Sequence, residues 1–279
     1  MIAKIIFSFL LACFPAYIWG YIFYKKQPEP RKWVAKTFIV GILSVVPIML
    51  YKFMWQWFPA LNVFLYTDGL NQDILGFTNL IYLPLGVLLA FMFVGVLEEY
   101  MKNVVVRVTD RSNLRHIDDA IEFCVIAALG FAFVENMMYF FYIWTYQGFS
   151  SLFISFNFRS VFSTFAHIFF SGIFGYFYGV AHFAKPILQE EMRQNRHPFL
   201  KIFHRIVHLK ATPLFAEEKL VEGLIVAMGL HAFFNVFLEM GWTFMILPYL
   251  VGGYMLLTYL FRKKENHKRY DLLWTLEEE

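Results

Sequence analysis

Charged residues are scarce in this chain of 279 residues, at 16% of the sequence against the roughly 25% that is usual in soluble domains. Cysteine is scarcer still, since Cys13 and Cys124 are the only two and each lies in an apolar run. This usage excludes a disulfide framework and a cysteine-rich metal site. The net charge of only +3 at pH 7 argues against a nucleic-acid partner.

Apolar side chains dominate the composition instead. The residues A, V, I, L, M, F, W, Y and C make up 59% of the chain, and aromatic residues alone make up 21%. The mean hydropathy is +0.54. A soluble core of this length could not bury so much apolar surface, so the composition predicts a polytopic membrane protein.

Seven apolar runs have the length of about 20 residues that crosses a bilayer as a helix. They cover residues 2–24, 33–52, 80–104, 119–146, 158–183, 219–239 and 242–261. We therefore predict an all-α fold, a transmembrane helical bundle of about seven spans that forms one integral membrane domain over 1–279. The first run ends in lysines rather than a small-residue cleavage site, so we interpret it as a retained span.

Basic residues predict the orientation of the bundle. They cluster after the first, third, fifth and seventh runs, whereas the connections 53–79, 147–157 and 240–241 contain no lysine or arginine. The positive-inside rule then puts the N-terminus outside the cell and the C-terminus in the cytoplasm. Arg159, near the start of the fifth run, is the lone exception.

The connection 184–218 mixes basic and apolar residues. After Pro198 it has the pattern of a basic amphipathic helix, which we expect to lie on an anionic cytoplasmic leaflet. His204 and His208 are spaced i,i+4 there, and a solvated basic face explains them better than a metal pair.

Four of the runs carry polar groups that are costly in lipid, at roughly 2.5–3.5 kcal/mol for each charge at the bilayer centre. These groups lie in the third, fourth, fifth and sixth runs and comprise Glu98, Glu99, Glu135, His167, His231 and Asn235. Separate roles as membrane-edge ion pairs or core histidines remain open for each residue. Taken together, the groups are best satisfied in one hydrated pocket between the helices.

The spacing of the polar residues bears on this pocket. Glu98 and Glu99 point about 100° apart on a helix, so one can face a cavity while the other pairs with Lys102. In the fifth run small residues and His167 recur at every fourth position, which predicts close packing against a neighbouring helix. In the sixth run His231 and Asn235 lie one turn apart and project together.

The four segments together resemble the PrsW family of intramembrane proteases. Residues 98–102, Glu-Glu-Tyr-Met-Lys, resemble its EExxK motif, and residues 131–136 resemble its FxxxEN segment. His167 and residues 231–235 fall where its two later histidine motifs lie, so the resemblance covers roughly 80–240. The family is distantly similar to the CAAX prenyl protease superfamily. The second motif of that superfamily ends in histidine, where this chain has Glu135. Its first motif ends in arginine and is one residue longer than the motif that ends at Lys102 here.

The resemblance implies an integral membrane endopeptidase of a bacterial plasma membrane with a membrane-protein substrate, its protease core lying within about 80–240. The family's studied function is cleavage of a membrane-spanning anti-sigma factor in a regulated proteolytic cascade. Whether this chain has that substrate does not follow from the resemblance.

Two mechanisms remain open at this point. In a metal-free version, Glu98 or Glu99 is the general base on water, His167 or His231 donates a proton, and Asn235 adds a donor. In a metal version, Glu135, His167 and His231 resemble a zinc set, while Glu98 or Glu99 activates the bound water. The chain has no HExxH motif, so the sequence favours the version without a cofactor over the one with a divalent metal such as zinc.

Two other classes of protein share some of these features. A proton- or ion-coupled transporter also places carboxylates and histidines in its core, but it predicts internal repeats, which the sequence does not contain. In a non-catalytic scaffold, the same groups would only hold helices together.

Overall fold

The computed structural model describes residues 1–25, 30–67, 69–70, 73, 83–193, 211–263, 268 and 270. These residues are helical almost throughout and contain no β-strand, with one isolated bridge between Asp73 and Pro84. The all-α prediction is confirmed over this part of the chain.

The α-helices of the described residues are numbered here in chain order. They are α1 (Ile2–Tyr24), α2 (Arg31–Leu43), α3 (Val45–Met54), α4 (Phe64–Thr67), α5 (Leu85–Thr109), α6 (Ile117–Tyr146), α7 (Phe149–Phe158), α8 (Thr164–His182), α9 (Ala184–Arg193), α10 (Ala211–Glu239) and α11 (Thr243–Phe261). One π-helical turn, Arg159–Ser163, joins α7 to α8.

Among the described residues, five helical segments are long and apolar enough to cross a membrane. They are Ile2–Phe23, Arg31–Met54, Phe149–His182, Thr212–Glu239 and Thr243–Phe261. Helix α5, of 25 residues, covers the third predicted span from Leu85 onward, and helix α6, of 30 residues, contains the fourth. The protein is therefore a multi-pass membrane protein, while the count of seven spans and the orientation of the termini stay predictions.

One predicted boundary was wrong. The fifth span was placed at 158–183, with 147–157 as a connection, but the helix begins at Phe149. Gly148 adopts a φ of 92°, a conformation that glycine tolerates, and the chain therefore reverses direction within a tight turn after α6. The apolar stretch that follows contains no proline or glycine, so it forms a helix at once.

Close helix packing brings the polar segments together. A Cβ added at Gly95 of α5 would lie 2.9 Å from the carbonyl oxygen of Met228 in α10. A Cβ added at Gly175 of α8 would lie 2.6 Å from Cα of Ile121 in α6. Only glycine permits these approaches, and the predicted small-residue face of the fifth span is confirmed.

The two long connections are described only in part. Of 53–79, the structure describes a short turn at Pro59–Leu61 and helix α4. Of 184–218, it describes α9 and the beginning of α10. The predicted amphipathic helix after Pro198, with His204 and His208, lies outside the described residues.

Candidate active site

The polar residues of four helices meet in one buried cluster. Glu98 and Glu99 come from α5, His167 from α8 and His231 from α10, and all four side chains are buried. Glu135 of α6 lies at the edge of the cluster, with 22% of its side chain exposed. The structure thus brings these five predicted residues together.

Glu99 organises the inner part of the cluster. Its Oε1 accepts hydrogen bonds from Nζ of Lys102 at 2.6 Å and from Nδ1 of His231 at 2.7 Å. Its Oε2 accepts one from Oγ of Ser171 at 3.3 Å. Both oxygens are therefore occupied, so Glu99 holds its neighbours in place and is a poor candidate for a general base.

The tautomer of His231 follows from these contacts. A carboxylate can only accept, so Nδ1 of His231 carries the proton of this hydrogen bond, and in the neutral imidazole Nε2 then has the lone pair. The imidazole also stacks on the ring of Phe170, with the ring centroids 5.1 Å apart. A histidine held this way presents Nε2 as a ligand or acceptor, the arrangement that carboxylates impose on metal-binding histidines.

Glu98 differs from its neighbour in having an oxygen left over. Its Oε2 is buried and has no hydrogen-bond partner among the described residues. Its ion-pair partner is Nε2 of His231, at 3.5 Å. A buried carboxylate oxygen without a partner is costly, so this position calls for a proton, a water or a cation.

His167 is held from both sides. Its Nδ1 lies 2.9 Å from Nζ of Lys102, and its Nε2 lies 2.8 Å from Oε2 of Glu135. An ammonium group can only donate, so Nδ1 accepts from Lys102 and Nε2 donates to Glu135. His167 can offer a nitrogen to a further ligand once one of these two partners shifts.

The charge of Glu135 is compensated by Arg159, a residue for which the sequence indicates no role. Nη2 of Arg159 donates to Oε2 of Glu135 at 2.9 Å. The guanidinium carbon of Arg159 also lies 3.9 Å from the ring centroid of Tyr139. Arg159 stands on the π-turn between α7 and α8, so the exception to the charge pattern is part of the cluster.

A possible metal set differs from the predicted one. Ligand atoms of Glu98, His167 and His231 all lie within 4.8 Å of one another, and all three residues are buried. The carboxylate grouped with both imidazoles is therefore Glu98, whereas Glu135 contacts His167 without belonging to this set. The unpartnered oxygen of Glu98 and the free Nε2 of His231 fit a cation that takes mixed nitrogen and oxygen ligands.

The role of Asn235 as an added donor stays a prediction. This residue lies one turn beyond His231 and is half-buried. No hydrogen bond links its side chain to the other site residues described here. A helical register that points two side chains to one side does not bring both within bonding distance of the same group.

Sequence reasoning passed over three residues that contact the site. The small-residue spacing of the fifth run predicts only a packing role for Ser171. The charge pattern gives Arg159 no role beyond that of an exception. Asn136 is the last residue of the segment that resembles FxxxEN, a position for which the sequence indicates no role. Its Oδ1 accepts a hydrogen bond from Nε of Arg159 at 2.8 Å. The available signal was an arginine next to a predicted connection, 147–157, that contains no lysine or arginine.

A narrow cleft leads from the surface to Glu98. It runs between α3 and α5 and has a cavity volume of about 20 Å³, which is room for about one water molecule. It is lined by Ile48, Tyr51, Lys52, Trp55, Phe64, Phe93, Val94, Leu97 and Glu98. Nε1 of Trp55 is buried without a partner among the described residues, so the apolar lining includes one free hydrogen-bond donor.

Comparison with known proteins gives one match. A sequence model of the PrsW family, described as PrsW family intramembrane metalloprotease, matches residues 29–261. No curated protein and no solved structure matches the chain.

Proposed function

Because the chain belongs to the PrsW family of intramembrane metalloproteases, we propose that it hydrolyses a peptide bond of a membrane-protein substrate at the Glu98 cluster. The observation that carries this proposal is the unpartnered Oε2 of Glu98, which faces Nε2 of a histidine oriented by Glu99. An acid with a free oxygen beside a correctly oriented imidazole is the arrangement that water activation requires.

Glu98, His167 and His231 are the residues that would hold a divalent cation, and zinc suits their nitrogen and oxygen donors. When bound, such a cation supplies Lewis-acid polarisation and makes a water acidic enough to react near neutral pH. The family description supports this metal version over the metal-free one that the sequence favoured.

The protein's own residues transfer the protons and orient the imidazoles. Glu98 would hold the cation through Oε2, so the proton of the attacking water goes to its other carboxylate oxygen and from there to the leaving amine, since the other two acids of the site are already engaged. Glu99 and Lys102 hold the imidazoles of His231 and His167 in fixed orientations. Burial of these groups keeps bulk water away from them.

The cleft between α3 and α5 is the proposed route of the substrate to Glu98, and it has to widen for this, because it now has room for about one water molecule. Its lining is apolar and aromatic, which suits a segment that leaves a lipid environment, and Nε1 of Trp55 can donate to a peptide carbonyl. A membrane-spanning anti-sigma factor in a bacterial plasma membrane is the substrate that the family resemblance suggests first. No feature of the described structure favours the transporter alternative.

Cleavage of quenched-fluorescence peptides that carry one transmembrane segment, with purified protein in detergent, tests the proposal. We expect Glu98→Gln to lower kcat by roughly 100-fold or more, because general base catalysis is lost. Glu218→Gln is the matched control, since that carboxylate is 51% exposed at the start of α10 and lies outside the site. Equal loss in both variants, or full activity of Glu98→Gln, contradicts the proposal.

Exhaustive chelation followed by zinc addition tests the metal part separately. Loss of cleavage and its recovery with zinc are the expected results. Full cleavage by protein shown to be free of metal would instead support the metal-free glutamic mechanism.

A further inference from the structure

Arg159 lies on an unusual piece of backbone. The π-turn Arg159–Ser163 interrupts an otherwise continuous helical segment, Phe149–His182. Such turns are rare and occur often at functional sites. Because a π-turn inserts one residue, it rotates the side chains before it by about 100° relative to those after it. Arg159 and His167 can therefore reach Glu135 from the same helical segment.

The guanidinium group of Arg159 makes three different contacts with α6. Nη2 donates to Oε2 of Glu135 at 2.9 Å, and Nε donates to Oδ1 of Asn136 at 2.8 Å. The flat face of the group covers the ring of Tyr139 at 3.9 Å. A planar fork with several donors can make all three contacts, whereas a lysine ammonium cannot.

Asn136 also fixes the π-turn itself. Its Nδ2 donates to Oγ1 of Thr164 at 3.0 Å, and that hydroxyl donates to the backbone oxygen of Arg159 at 2.9 Å. One amide therefore contacts both ends of the turn, through the Arg159 side chain at one end and Thr164 at the other. Asn136 and Thr164 are buried, so this arrangement is shielded from water.

We propose that Arg159 is a positioning residue of the active site, which acts on His167 through Glu135. Arg159 holds Oε2 of Glu135 in place, and that same oxygen accepts the Nε2 proton of His167 at 2.8 Å. This contact fixes the imidazole tautomer and directs Nδ1 toward Lys102 and the inner cluster. The inference rests on the proposed function, because it assigns His167 to the metal-binding group.

A purely structural ion pair would predict something different. Removing such a pair lowers the stability of the bundle, but it leaves the folded site with the same affinity for a cation. A positioning role predicts that affinity falls even in molecules that remain folded. Zinc affinity of the purified protein therefore separates the two roles without reference to cleavage.

The experiment measures zinc dissociation constants in detergent by competition with a chromogenic chelator, well below the Tm of each variant. We expect Arg159→Gln to weaken zinc binding roughly 10- to 100-fold, the range seen when an outer partner of a metal-binding histidine is removed. Arg159→Lys keeps the charge and should fall between that variant and the wild type. Lys4→Gln is the control, because Lys4 donates to Trp144 of α6 away from the site.

A second variant pair tests the route through Glu135. If Arg159 acts through that carboxylate, Glu135→Gln and the double variant Glu135→Gln/Arg159→Gln should bind zinc equally weakly. Additive losses would mean that Arg159 acts by another route, and they would overturn the proposal.

Folded Arg159→Gln protein that binds zinc within twofold of the wild type would also overturn it. If Arg159→Gln does not fold, the same comparison is made with Arg159→Lys. If the wild type binds no zinc, the metal part of the proposed function fails. The role of Arg159 is then tested by peptide cleavage with the Arg159→Lys variant. A lowered kcat at constant KM supports the positioning role, and an unchanged kcat contradicts it.

Discussion

At the scale of single residues, two adjacent glutamates have opposite environments. The rotation of about 100° between neighbours on a helix turns Glu99 toward Lys102, His231 and Ser171, and it turns Glu98 toward the cleft. Glu99 is saturated with hydrogen bonds, while an oxygen of Glu98 has no such partner among the described residues. In the proposed function, the same type of side chain therefore supports structure at one position and chemistry at the next.

This difference predicts unlike consequences for the same substitution. Glu99→Gln leaves the ammonium of Lys102 buried without its closest counter-ion, so we expect a loss of about 3–5 kcal/mol in the free energy of unfolding. Glu98→Gln should retain the stability of the wild type and lose turnover. Chemical denaturation of both variants, followed by a spectroscopic signal of folding, checks the prediction. Equal stabilities would show that the two acids have interchangeable structural roles.

Asp110, at the C-terminal end of α5, gives a prediction about pH. It is fully buried and accepts hydrogen bonds from Thr37 and Thr109, while Lys36 donates to the backbone oxygen of Thr109 at 2.9 Å. Burial raises the pKa of Asp110 above its usual value of 3.8 despite these partners. The folded protein therefore binds this proton more tightly than the unfolded protein does.

The sign of the effect follows from that shift. The contribution of Asp110 to stability is fully present below pH 3.8 and is lost as pH rises through the higher pKa of the folded state. The Tm of the wild type relative to that of Asp110→Asn should accordingly increase as pH falls from 7 toward 4. Other groups titrate in both proteins and cancel in this difference. A difference that is constant with pH would contradict the prediction.

At the scale of secondary structure, the helix that lines one side of the proposed route to Glu98 follows an interruption of the helical pattern. Ser44 separates α2 from α3, and Oγ of Ser44 donates to the backbone oxygen of Gly41 at 2.6 Å. Pro47 in the first turn of α3 has no backbone donor to bind the preceding turn. Helix α3 can therefore diverge from α2 and leave the cleft between itself and α5.

Narrowing this cleft should affect the substrate and not the metal. Val94 lines the cleft, so Val94→Phe should lower kcat/KM by about 10-fold or more through exclusion of the substrate. Zinc affinity should stay unchanged, since Val94 is not among the residues of the metal set. Met92→Phe is the matched control, because Met92 lies on an exposed face of α5. A similar loss in the control would argue against the cleft as the entry route.

At the scale of the whole molecule, the bundle is built around α6. Most residues of its first half are completely buried, and α2, α5 and α8 all pack against it. The predicted topology makes α5 and α6 spans as well as the five segments that are long and apolar enough. Seven spans would place the turns after α5 and after α6 on opposite sides of the membrane.

Single cysteines in those two turns test the topology. In a background of Cys13→Ala and Cys124→Ala, the exposed residues Ser112 and Ser150 are replaced by cysteine one at a time. A maleimide that cannot cross membranes should label Ser150→Cys in intact cells and Ser112→Cys only in inverted vesicles. Labelling of both from the same side would rule out seven spans with an extracellular N-terminus.

The sequence by itself determined that the protein is a helical membrane protein with acids and imidazoles held away from lipid. That follows from the chemistry of individual side chains, because apolar runs of this length need a bilayer and charged groups within them need partners. It also contained the motifs on which the family assignment rests.

Only the tertiary structure decided which acid is grouped with the histidines and which acid is fully hydrogen-bonded. Glu98 rather than Glu135 is grouped with the two histidines, Asn235 makes no hydrogen bond to the cluster among the described residues, and Arg159 joins it. These outcomes depend on contacts between helices and on a π-turn that changes the direction of side chains part of the way along one segment. Periodicity within a single helix indicates which residues share a face, but it contains no information about which atoms of another helix that face will meet.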